Sequence, residues 1–181
     1  SLHLIIAFVI ISILFWTALN VKKNNFKNFF NMKNYNYIFA FLIILLFIQI
    51  ILGAFVSGLD AGQLYQTWPL MNLNYFPNDV VVNKIFDLFN FNNHGLVQFY
   101  HRNIAYLIII YVLFIGYFIF KLKIHSLLRP YYYVSFFLFL QIVLGVTTLI
   151  SGLNIYLASA HQICSLLLIL SVINLYYNYI N

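Results

Sequence analysis

The sequence predicts an all-α, polytopic membrane protein with about five transmembrane helices. Two features of composition and one pattern carry that expectation. Of 181 residues, 64% are hydrophobic and only 7% are charged, against roughly a quarter charged in an ordinary globular chain. That is too little charge to coat a soluble surface. The apolar residues gather into runs near the ~20 residues that a spanning helix needs, with polar connections between them. None of the runs alternates over ~10 residues as a membrane β-strand would. Twenty Phe and 15 Tyr, with abundant Ile and Leu, exclude disorder. A single cysteine excludes an internal disulfide and any CxxC metal or redox motif.

The first apolar run, residues 4–19, is slightly short for a span and ends in the polar, basic stretch 20–36. The chain begins at Ser1 and is apolar by Leu4, with no targeting segment ahead of it. The expectation is a removed N-terminus or a part of a longer protein. The second span, residues 37–59, carries Gln49 and Gly53. A long polar connection follows, with Asp60, Trp68-Pro69, Pro77, Asp79 and Asp87. The third span runs over 97–120, the basic turn over 121–130, and the fourth span over 131–150. A short Ser151-Gly152-Leu153-Asn154 turn precedes the last span, 155–179.

Loop charges give an orientation. Lys22, Lys23, Lys27 and Lys33 lie in the first loop, and Lys121, Lys123 and Arg129 in the third. Two spans separate these loops, so they share a side. The long second loop holds Asp60, Asp79 and Asp87 but only Lys84. Short Lys/Arg-rich loops stay on the cytoplasmic or matrix side, which turns the acidic loop outward. The basic residues form no single solvated face, and no nucleic-acid partner is expected.

Gln49-Ile50-Ile51-Leu52-Gly53 in the second span is echoed by Gln141-Ile142-Val143-Leu144-Gly145 in the fourth. Gln and Gly four apart share one helical face, and a Gln within a span is costly unless it faces the bundle interior. The echo suggests a helix-pair duplication about an axis along the membrane normal.

Each of those spans is followed by one with a histidine. His94 falls in the outer loop and His125 in the basic turn, where solvation explains them. His3, His101 and His161 lie near outer span ends. His101 is one turn in from Val97 and His161 about two turns in from Ile155, depths that agree within a few Å at ~1.5 Å per residue. Ionisable residues inside a membrane are functional candidates; a structural hydrogen bond is the plainer alternative for each alone. Ala105 beside His101, and Ala158 and Ser165 beside His161, would let a flat macrocycle lie close to the backbone. Two imidazoles at matched depth, with no carboxylate or thiolate, fit a six-coordinate haem iron better than zinc or a di-iron site. Arg102 points away from the face of His101, and either pairs with a haem propionate or snorkels to headgroups. Cys164 reads as a buried, inert thiol.

Leu52-Gly53-Ala54-Phe55-Val56-Ser57-Gly58-Leu59-Asp60-Ala61-Gly62 and Tyr65-Gln66-Thr67-Trp68-Pro69-Leu70-Met71 resemble the fifth span and following loop of the haem A synthase family, of mitochondrial and alphaproteobacterial type. Val97-Gln98-Phe99-Tyr100-His101-Arg102 resembles the family's next histidine motif. Leu144-Gly145-Val146-Thr147-Thr148-Leu149 and Ala160-His161-Gln162 resemble its last two spans. Asn92-Asn93 stands where members often carry Glu-Asn, which removes an acidic residue from the outer face.

The resemblance implies two four-helix halves, each offering a histidine pair to a haem. Residues 1–20 would be the last transmembrane helix of a missing N-terminal half, 21–36 a basic inner loop, and 37–181 a C-terminal four-helix haem-binding domain. His101 and His161 would ligate the iron of a haem b, with Arg102 beside it, and His3 would belong to a partial site for substrate haem. The implied reaction oxidises the C8 methyl of haem O to a formyl group, serving cytochrome oxidase assembly. Its catalytic acid would lie in the missing half, so no catalytic residue is assigned here. The implied surroundings are the mitochondrial inner membrane or, as the alternative, a bacterial plasma membrane. Haem O synthase and a second copy of the chain are partners the resemblance allows; the electron acceptor is not indicated. A b-type electron-transfer subunit with no chemistry of its own would use the same histidines, and a non-haem transport or structural protein is the third class.

Overall fold

Apolar runs in lipid must satisfy their own backbone, which leaves helices as the economical solution. The computed structural model describes residues 2–30 and 35–180. It contains five helices long and apolar enough to cross a membrane: α1 (Leu2–Lys23), α2 (Asn36–Gly58), α3 (His94–Lys121), α4 (Leu128–Ile150) and α5 (Ile155–Tyr179). Among the described residues there is no strand, only an isolated bridge between Met71 and Asn74. The chain is a multi-pass, all-helical membrane protein. Lys33 of the basic loop lies outside the described residues.

Three boundaries differ from the sequence expectation, each for a local reason. α1 reaches Lys23 because its last turn keeps Lys22 and Lys23, cations that suit a helix C-terminus. α3 begins at His94, since the Asn93 side chain caps it by accepting from the Leu96 N–H at 2.8 Å. His94 is therefore the exposed first residue of a helix rather than part of the loop. α4 takes in Arg129 and Pro130, because proline is tolerated in a first helical turn. At the start of α5, Asn154 caps by accepting from the N–H groups of Tyr156 and Leu157.

α2 packs along α3 and α4 along α5, and the pairs are joined chiefly where α2 meets α5. The buried apolar core is one-sided. It draws on residues 38–46 of α2, 108–119 of α3, 131–134 of α4 and 168–177 of α5, all toward the basic-loop end. α1 is fastened to that same end. Trp16 packs edge-on against Phe29 and Tyr177, while the Tyr176 and Tyr177 hydroxyls donate to the carbonyls of Phe29 and Asn25 at 2.6 and 2.8 Å. Lys27 donates from Nζ to the Tyr177 carbonyl at 3.0 Å and to the Ile180 carbonyl. Burial, then the nearby Lys23 charge, holds its pKa below the usual lysine value.

At the other end the loop between α2 and α3 folds back on the bundle. A short 3-10 helix, Ala61–Gln63, places Gly62 against the Leu153 side chain of the α4–α5 turn. The loop thus reaches from the α2–α3 pair to the α4–α5 pair. Tyr65, 4% exposed, is its internal post. Its hydroxyl donates to Asp79 Oδ1 at 2.6 Å and accepts from the N–H groups of Asn78 and Asp79. Burial and the bond to Asp79 push the phenol above its ordinary pKa.

Candidate functional site

The duplicated Gln–Gly pattern has a structural counterpart. Gln49 on α2 faces His101 on α3, with Nε2 to Nε2 at 3.3 Å. Gln141 on α4 faces His161 on α5, again Nε2 to Nε2, at 3.2 Å. One turn on from each glutamine, a glycine lies under the same imidazole. A Cβ on Gly53 would meet His101 Cε1 at 3.1 Å, and one on Gly145 would meet His161 Cε1 at 2.9 Å. Each ring is thus held between an amide and bare backbone, and the two helix pairs repeat one device.

His101 is seven residues into α3 and His161 six into α5, about 10 Å and 9 Å along their axes. The earlier start of α3 brings the two depths closer than the sequence expectation did. Around the two rings the helices are only partly covered. α3 has no buried residue between Gln98 and Ile108, α4 none after Val134, and α5 none before Cys164. Both histidines are half-buried overall, though each Nδ1 is enclosed.

Unpaired polar atoms cluster here. Nδ1 of His101 and of His161, and Oε1 of Gln49 and of Gln141, are buried without a hydrogen-bond partner. Each such group costs about 1–3 kcal/mol. Exchanging the amide N and O assignments of the glutamines does not remove the problem, because each Gln–His pair forms one bond and leaves atoms over. An imidazole pair with spare lone pairs, glycine cradles and incomplete packing fits a flat, two-coordinated ligand such as haem. Among the described residues, no three His, Cys, Asp or Glu side chains come together as a metal cage.

Arg102 takes a different direction from the histidines. Its guanidinium donates to loop carbonyls: Nη2 to Tyr65 at 3.0 Å, and Nη1 to Leu70 at 3.2 Å and to Pro69 at 3.5 Å. Nε remains buried and unpaired. Gln98, 3% exposed, donates to the same Tyr65 carbonyl at 2.9 Å. Arg102 and Gln98 therefore fasten the loop across the top of α3. Sequence reasoning gave Gln98 no role; the available signal was a glutamine in an apolar helix, one turn before a histidine. His3 sits exposed near the start of α1, and His94 and His125 are exposed as well. Cys164 is buried, its sulfur 3.6 Å from the Phe137 carbonyl.

Residues 1–173 match the COX15-CtaA family, described as cytochrome oxidase assembly protein. The chain is 40% identical over 174 residues to a haem A synthase of Pelagibacter ubique (strain HTCC1062), covering 94% of this chain and 49% of that protein. A haem A synthase of Wolbachia pipientis wMel is 36% identical over 172 residues, with 93% and 47% covered. One of Rickettsia africae (strain ESF-5) is 32% identical over 182 residues, with 98% and 53% covered. The chain spans about half the length of these curated relatives. No solved structure matches it.

Proposed function

The chain belongs to the COX15-CtaA family of cytochrome oxidase assembly proteins, and from this we propose that it forms the C-terminal, haem-binding half of a haem A synthase. Residues 37–181 are the haem-binding domain in this reading, 1–20 a helix of the other half, and 21–36 the basic inner loop between them. His101 and His161 hold the iron of a haem b, and the carrying observation is their placement: two imidazoles at one depth, each cradled by a Gln and a Gly, each with an unpaired nitrogen. When bound there, the haem supplies one-electron transfer at the outer side of the bundle.

The chain's own residues do three things. Gln49 and Gln141 orient the imidazoles and then yield the ring nitrogen to the ligand. Arg102, with Gln98, draws the loop over the site and limits the access of water; its unpaired Nε is the donor left for a propionate. The Gly62–Leu153 contact carries that cover across to the α4–α5 turn. His3 contributes to the substrate-haem site on the other half.

The proposed reaction is oxidation of the C8 methyl of haem O to a formyl group, toward which a haem held by His101 and His161 would supply electron transfer. The relatives are bacterial, which supports a bacterial plasma membrane over the mitochondrial location. A b-type electron carrier would need the same imidazole pair, but the family match and the three relatives favour the synthase.

Turnover tests this reading. The chain alone in lipid should bind haem yet convert almost no haem O, because the substrate must be held in fixed register and His3, exposed on α1, faces no second histidine among the described residues. Adding the other half from the Pelagibacter relative, in cis or in trans, should restore haem A formation. Haem A made by the isolated chain would overturn the division of labour.

A further inference from the structure

Large apolar side chains stand in the open on the loop, at a height where the membrane surface must be. Ile85 is 76% exposed, Phe86 84% and Phe89 65%, with Val81 and Val82 exposed beside them. All five are β-branched or aromatic residues within nine positions, and such a patch marks an interaction surface.

The height follows from α3. Its 28 residues span about 42 Å, some 12 Å more than the ~30 Å hydrocarbon core of a bilayer. The surplus lies at the end the loop wraps. Arg102 binds the carbonyls of Tyr65, Pro69 and Leu70, Tyr75 donates to Asn103, and Phe76 packs on Phe99 with centroids 5.1 Å apart. The first two to three turns of α3 therefore stand in the headgroup zone, sheathed by loop.

The apolar segment is tied at that level. The Tyr100 hydroxyl, in the second turn of α3, donates to the Leu88 carbonyl at 2.7 Å. Phe91 stacks on Phe55, in the last turn of α2, at 6.1 Å, and lies 6.3 Å from Tyr100. Phe55 is itself exposed and continues the row Phe41, Ile44 and Ile48 down the open face of α2. The patch is thus continuous with the exposed apolar face of α2.

Polar groups in the segment are arranged compatibly. A short 3-10 helix, Ile85–Phe89, presents the apolar side chains, and the Asp87 carboxylate turns back to accept from the N–H groups of Asn83 and Lys84 at 2.8 and 2.7 Å. Lys84 remains exposed, placed to reach lipid phosphates.

We propose that residues 81–91 are an interfacial membrane anchor, with Ile85, Phe86 and Phe89 seated at the headgroup–acyl boundary and Lys84 at the phosphates. The occupant is lipid, because the patch is an open apolar tip at the height of the headgroups, contiguous with the exposed apolar face of α2. This holds the far edge of the loop down while Arg102 and Gln98 hold the near edge. It does not depend on what the bundle binds.

The chain has two tryptophans, Trp16 and Trp68, so Phe86→Trp in a Trp16→Phe, Trp68→Phe background gives a single reporter. The protein is reconstituted in phosphatidylcholine vesicles, with brominated acyl chains or with iodide on both sides. Expected is at least twofold stronger quenching by bromines high on the acyl chain than by bromines near its end, with little by iodide. Strong iodide quenching without lipid quenching would place the segment in water. Quenching by neither would mean protein covers it. Either result overturns the anchor. If the background fails to fold, a spin label at Phe89→Cys in Cys164→Ser reads the same question: oxygen should relax it more than an aqueous nickel complex, and the reverse order contradicts the proposal.

Discussion

Gln49 and Gln141 matter because an imidazole on an apolar helix has several rotamers, and a ligating one needs a single orientation. A neutral hydrogen bond contributes about 0.5–1.5 kcal/mol, so each amide biases its ring by roughly two- to tenfold. That bond is given up when the ring nitrogen passes to the ligand, so Gln49→Leu or Gln141→Leu should strengthen haem binding by about that factor without unfolding the chain, since the change also removes a buried, unpaired Oε1. Haem titration followed at the Soret band checks it. The glycines give a sharper contrast. Alanine in place of a mid-helix glycine gains up to about 1 kcal/mol of helix propensity, so loss of haem in such a variant would not reflect a weakened helix. Gly145→Ala should cost more occupancy than Gly53→Ala, because its Cβ would meet the imidazole at 2.9 Å rather than 3.1 Å. Equal haem content in both variants would count against the cradle. The sequence showed these four residues on inward faces and the two histidines at one depth. It did not show that each glutamine reaches the histidine of its neighbour, since that bond depends on the rotation of both helices.

At the scale of elements, the loop between α2 and α3 is the part least visible in advance. Its composition says only that it is polar, long and acidic. Its shape comes from side chains spaced far apart, such as Arg102 and Gln98 reaching back 37 and 33 residues to Tyr65. Arg102 reads from sequence as a propionate or headgroup contact; its two terminal nitrogens instead hold loop carbonyls. Arg102→Ala should therefore release the loop, raising its cleavage by protease about tenfold or more, as expected where charge-assisted bonds of ~1.5–3 kcal/mol are lost. The docking should also respond to alkali through Tyr65. Its pKa is raised above the ordinary 10.0 by burial and the bond to Asp79, so the docked loop favours the neutral phenol. That contribution is fully present below pH 10.0 and is lost as pH climbs through the raised value. Tyr65→Phe should abolish the alkaline step in protease sensitivity. The helices, by contrast, were legible in number and order, with ends displaced by up to four residues, because hydropathy sets them; capping by Asn93 and Asn154 explains where α3 and α5 begin.

For the whole molecule, the one-sided core and the partly covered far end belong together. The bundle is knit where Trp16, Tyr176 and Tyr177 meet the basic loop, and loosest around His101 and His161. Large-to-small changes at Ile169 or Ile115, both fully buried, should cost about 2–5 kcal/mol of stability with the site itself untouched. The packed end also carries Lys22, Lys23, Lys27, Lys121 and Lys123, and the positive-inside rule predicts that it faces the cytoplasm. A membrane-impermeant protease added outside should then cut within residues 59–93 and spare the basic loops. If this bundle is a two-imidazole haem protein, as we propose, the reduced-minus-oxidised absorption spectrum of the purified chain will show it. The expected result is one haem b per chain with a low-spin spectrum, lost in both His101→Ala and His161→Ala while the helices still insert. A low-spin spectrum unchanged in either variant would contradict it.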